Sequence, residues 1–81
     1  MYEIKDAVVA RIDSICSSKG ITYNALANLS GITPSTIYSL MDPRRREVTI
    51  NTLALICNGL DISLDYFFDS DEFREIDEQE R

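Results

Sequence analysis

The stretch TYNALANLSGITPSTIYSLM, Thr22 to Met41, carries two short helical patterns with a single glycine between them. Thr22 suits an N-cap, since its hydroxyl can take an unpaired N–H of the first turn. Leu26, Ala27 and Leu29 supply the apolar residues of a helix that ends near Ser30-Gly31. Thr33-Pro34 restarts a helix at once, because the N–H that proline lacks would have had no partner there. Ile37, Leu40 and Met41 form the buried face of this second segment. Ala27 lets two helices approach, Gly31 allows the sharp turn, and Ile37 fills the angle between them. The spacing predicts a helix-turn-helix.

Working outward, Ile4, Val8, Ile12 and Ile15 recur at steps of four and three, with Cys16 on the same stripe. They predict a helix over about 3–18 that ends at Gly20. Asp42-Pro43 ends the segment that began at Pro34, since the residue before a proline is pushed out of helical geometry. Arg44 to Glu47 then reads as an exposed loop. Thr49 caps a fourth helix with the stripe Leu53, Ile56, Cys57 and Leu60, expected to stop at a left-handed residue at Asn58-Gly59. Ser63 opens a short fifth, with Leu64, Phe67 and Phe68 as its apolar group. Beyond Phe68 only Phe73 and Ile76 are large and apolar, so the tail is expected to be a frayed or partner-dependent helix capped by Ser70. The fold class is all-α: a compact five-helix bundle over 1–68 with an acidic tail over 69–81.

The composition narrows the chemistry. Eighty-one residues with 44% hydrophobic and 27% charged side chains make one foldable domain. No apolar run approaches the roughly 20 residues that cross a bilayer, and Met1 to Ala10 carries acids unlike a signal peptide, so a cytoplasmic protein is expected. There is no histidine, and the two cysteines, Cys16 and Cys57, lack zinc spacing. Gly20, Gly31 and Gly59 form no phosphate loop. The expectation is a non-enzyme without cofactor, metal or small-molecule ligand. The net charge of −6 is uneven: seven acids against two arginines from Asp69 to Arg81 leave −5 there. Residues 1–68 are nearly neutral and hold one basic cluster, Arg44, Arg45 and Arg46.

From Ile12 to Phe68 the chain resembles the Cro and lambda-repressor (XRE-type) family of helix-turn-helix regulators. The likeness runs through Gly20-Ile21-Thr22, Leu26-Ala27, Ser30-Gly31-Ile32-Thr33, Ser35-Thr36-Ile37, Thr49-Ile50, Thr52-Leu53 and Ile62-Ser63-Leu64-Asp65. The resemblance implies a lambda-repressor-like five-helix domain, 1–68, that binds double-stranded DNA as a homodimer and acts in transcription regulation. It implies that the third helix, about 34–41, reads the major groove, with Pro34, Ser35, Tyr38 and Ser39 toward bases. Serine pairs with several bases, so its reading is permissive. DNA backbone contacts are expected at Thr22, Tyr23, Thr36, Arg44, Arg45, Arg46 and Thr49, near helix N-termini that favour anions. Many relatives pair an arginine with a glutamate where this chain has Cys16 and Met41; the joint change replaces an ion pair with apolar contact.

With Leu60 and Phe67 capping the core, Tyr66, Phe68, Phe73 and Ile76 are the expected dimer surface. The acidic tail reads either as a solubilising segment or as a tether competing with DNA for the arginine loop at low salt. Two functions compete: a DNA-binding repressor, and a protein-interaction module such as an antitoxin-like or adaptor component. Low pI, Pro34 and the short side chains of the reading face favour the second, whereas the arginines and the two anion-ready helix starts favour the first.

Overall fold

Hydroxyl caps and left-handed glycines punctuate this chain. A computed structural model describes residues 2–79; Met1, Glu80 and Arg81, and with them the end of the expected tail, lie outside the described residues. The helices are α1 (Ile4–Lys19), α2 (Tyr23–Ser30), α3 (Pro34–Met41), α4 (Ile50–Gly59), α5 (Leu64–Phe68) and α6 (Asp71–Gln79). Among the described residues there is no strand. Thr22, Thr33, Thr49 and Ser63 accept the N–H groups of Ala25, Thr36, Thr52 and Tyr66, each filling a vacancy that a helix start leaves open. Gly20 and Gly31 close α1 and α2 at φ 67° and 71°. Ile21 N–H reaches the Cys16 carbonyl at 2.9 Å and Ile32 N–H that of Ala27 at 3.0 Å, pairing carbonyls that the helix leaves unmatched.

The core gathers Ala7, Val8, Ile12, Ile15 and Cys16 of α1, Leu26 and Ala27 of α2, and Ile37 and Leu40 of α3. Leu53, Ile56 and Cys57 of α4, with Leu60, Phe67 and Phe73, complete it. Met41 is half-buried against this cluster. Ile4, Leu29, Leu64 and Phe68 are exposed instead. At the start of α1 the buried place falls to Lys5, one position on from Ile4, whose ammonium finds carbonyl partners inside.

The end of α4 corrects the expected stop at Asn58-Gly59. Gly59 is helical, and the left-handed residue is Asp61, at φ 57°, with Ile62 N–H bonded to the Cys57 carbonyl at 3.0 Å. Gly59 serves close approach: a Cβ there would lie 2.5 Å from Ser30 Oγ and 2.8 Å from Ser30 N. α4 therefore crosses the end of α2 at a distance that only glycine permits.

The tail holds the second correction. Among the described residues the helices number six, and α6 packs on α1. Phe73, expected on a dimer surface, is 7% exposed and sits in the chain's own core, its ring 5.8 Å from Phe67 and 4.8 Å from Phe68. Ile76 is half-buried against the same cluster. Tyr2 N–H donates to Gln79 Oε1 at 3.3 Å, and Gln79 Nε2 donates to the Tyr2 carbonyl. Between Asp71 and Gln79 the tail is a docked helix rather than a loose tether, because Phe73 covers apolar surface that five helices leave open. Among the described residues no helix is long and apolar enough to cross a membrane.

Gly59→Ala is expected to destabilise the fold by about 1–3 kcal/mol through overpacking, although alanine is the better helix former by about 1 kcal/mol. Phe73→Ala should cost about 3 kcal/mol as a core truncation. Urea unfolding reads both; a stabilised Gly59→Ala would contradict the close crossing.

Candidate nucleic-acid interface

α3 has eight residues, and its two sides differ sharply. Ile37 and Leu40 point into the core. Pro34, Ser35, Thr36 and Tyr38 are exposed and Ser39 is half-buried. Thr33 Oγ1 is the hub of the first turn: it accepts Thr36 N–H at 3.3 Å and lies 3.1 Å from Ser35 Oγ and 2.9 Å from Thr36 Oγ1. Hydroxyls rotate and have two acceptor sites, so Ser35 and Thr36 keep capacity for an outside partner while leaning on the cap.

Tyr23, at the start of α2, has a committed proton. Its hydroxyl donates to Asp13 Oδ1 at 2.7 Å, and its ring meets Tyr38 edge-on at 6.1 Å. Burial, followed by the bond to Asp13, pushes the phenol up to about 12. A phenol has one proton, so the expected donation from Tyr23 to a phosphate requires the Asp13 bond to open.

The loop between α3 and α4 separates the three arginines that the sequence presents as one cluster. Arg44 folds back on Asp42, with Nε and Nη2 at 3.1 and 3.0 Å from its carboxylate. These side-chain bonds, with the Arg44 backbone N–H, hold the Asp42 carboxyl down at about 2. The Arg44 side chain is nevertheless 89% exposed, where such a pair is weak and readily exchanged. Arg46 is more fully engaged: Nε donates to Glu3 at 3.0 Å, Nη2 to Asp6 at 2.9 Å, and Nη1 to the Pro43 carbonyl at 2.9 Å. Arg45 alone of the three has no ion pair among the described residues. It lines an open groove between α3 and the start of α4, together with Arg46, Thr36, Ser39, Thr49, Thr52 and the acid Glu47. Thr49 caps α4 on the same wall, so unpaired N–H groups of the first turn add partial positive charge.

The structure therefore brings Thr36, Ser39, Arg45, Arg46 and Thr49 together around one groove, leaves Pro34, Ser35 and Tyr38 on the open side of α3, and ties the Arg46 guanidinium to Glu3 and Asp6. Sequence reasoning missed three supporting groups. Lys5 is buried beneath the arginine loop. Asp13 orients Tyr23. Arg11 donates to the Phe67 and Tyr66 carbonyls at 2.9 and 2.7 Å, closing α5, and lies 5.0 Å above the Tyr66 ring. Each acts on residues at least ten positions away, so no local pattern marks them.

The family described as the Cro/C1-type HTH DNA-binding domain matches residues 11–69, and the chain belongs to it. Comparison with curated proteins finds no match, and comparison with solved structures finds none either. The matched segment contains α2, α3 and the arginine loop but stops before α6, and Glu3, Lys5 and Asp6 precede it.

The folded state favours the neutral Tyr23 phenol, so its contribution to stability is intact below pH 10 and is lost as pH rises toward about 12. Tyr23→Phe should flatten that part of the stability profile, measured by urea unfolding at stepped pH. An unaltered slope would show that the bond to Asp13 does not persist.

Proposed function

We propose that this Cro/C1-type DNA-binding domain is a transcriptional repressor that binds duplex DNA as a homodimer, with α3 in the major groove. The observation that carries the reading is the open side of α3 within a helix-turn-helix of this family. At 1.5 Å per residue its eight residues span about 12 Å, comparable to the groove's width of about 12 Å. Pro34, Ser35, Tyr38 and Ser39 reach toward base edges, Pro34 against a thymine methyl. Hydroxyls discriminate bases weakly, so much of the preference comes from half-site spacing and DNA deformability.

Thr22, Thr36, Thr49 and Arg45 meet phosphates directly, and Arg44 does so by exchanging Asp42 for phosphate. Tyr23 joins once Asp13 lets go. Arg46 would have to leave two carboxylates, so its part is to hold the loop. Tyr66 and Phe68 are exposed and Ile76 half-buried; they form the surface on which two copies meet, with Phe73 beneath them. A single helix-turn-helix makes few base contacts, and a two-fold pair of half-sites raises specificity. Repression follows from occupying the site.

Selecting bound duplexes from a random pool tests this reading. The expected result is a two-fold-related pair of half-sites; no enrichment, with retention of a protein partner in place of DNA, would favour the interaction-module reading. On the selected site, Arg45→Ala should weaken binding to all sequences and lower the salt slope by about 0.9. Arg46→Ala should mainly lower the melting temperature. A slope loss in Arg46→Ala matching that of Arg45→Ala would contradict their separate roles.

A further inference from the structure

Beneath the arginine loop lies a buried charge that no DNA contact requires. Lys5 is 1% exposed, among the largest side chains so enclosed. Its ammonium donates to the Asp42 carbonyl at 3.3 Å and to the Arg45 carbonyl. A buried ammonium is costly unless its protons are satisfied. Here burial and the neighbouring Arg46 push its pKa down, while Asp42 and Asp6 push it up. The two carbonyls lie on either side of Pro43 and Arg44, so one side chain gathers the whole turn. The Asp42 carbonyl is at the C-terminal end of α3, where a cation also meets the negative end of the helix dipole. Arg46, the next residue, is fastened to Glu3, the N-cap of α1, and to Asp6 in its first turn.

The consequence falls on Arg45. Its carbonyl is held inward by Lys5, while its side chain is exposed on the groove with Thr36, Ser39 and Thr49. We infer that Lys5 is a positioning residue for DNA binding: by drawing in the backbone of the loop it presents the Arg45 guanidinium to a phosphate at the α3–α4 groove, without touching DNA. This rests on the nucleic-acid reading of that groove. Lys5 itself lies outside the family-matched residues 11–69, on the first turn of α1.

A double-mutant cycle tests it, with anisotropy titrations of the full chain against a mixed-sequence duplex over a salt series. Lys5→Met keeps the apolar stem and removes the donors. It is expected to lose the same factor in affinity as Arg45→Ala and the same roughly 0.9 of salt slope, with the double variant falling no further than either. Lys5→Arg, which restores donors, should recover most of the loss. If Lys5 acted only through its charge or through general stability, its effect would persist in the Arg45→Ala background, and that additive result overturns the inference. Should Lys5→Met fail to fold, Lys5→Gln, which can still satisfy one carbonyl, takes its place in the cycle under the same criterion. Wild-type chain that binds no duplex at any salt overturns the nucleic-acid reading and this inference with it. Binding by the wild type with an additive cycle overturns this inference alone.

Discussion

An eight-residue helix does not hold together by itself in water, since its few hydrogen bonds barely repay the cost of nucleation. α3 persists because its ends are tied and one face is buried. Thr33 and Pro34 start it, Asp42 releases the chain, and Ile37 and Leu40 anchor it against the other helices. The anchoring decides which side chains remain outside. Rotation by one residue would bury Tyr38 and expose Ile37, so the energetics of the core and the identity of the exposed face are one constraint.

The rest of the molecule locates that helix. α2 is joined to it through the left-handed Gly31, and α4 is pressed onto the end of α2 where Gly59 has no Cβ. α1 reaches the other end of α3 through Lys5 and Arg46, and α6 lies on α1, with Phe73 packed on Phe67 and Phe68 of α5. The acidic tail and the arginine loop are therefore both packed on α1. The net charge of −6 says little about the groove, because the charge that matters there is local and includes one arginine free of intramolecular ion pairs among the described residues.

Much of this was legible in the sequence because it is local chemistry. Thr22, Thr33, Thr49 and Ser63 cap helices within three residues of themselves, and Gly20 and Gly31 end helices at their own positions. The helix-turn-helix and the outward side of α3 follow from such signals. What was not legible depends on distant partners. Lys5 reads as a surface lysine until carbonyls 37 and 40 residues away are seen to enclose it. Gly59 looks like a cap because its true neighbour, Ser30, belongs to another helix. Phe73 looks like exposed surface because its acidic neighbours hide one aromatic ring that completes the core. Three consecutive arginines look equivalent until Asp42, Glu3 and Asp6 distinguish them.

The most direct measurement is a map of backbone amide shifts in the labelled full chain as duplex is added. The account predicts that the largest changes fall on residues 33–39 of α3, the first turns of α2 and α4, and the Arg44–Arg45 loop, with α6 affected little. Changes confined to α5 and α6, with α3 unmoved at saturating duplex, would contradict it.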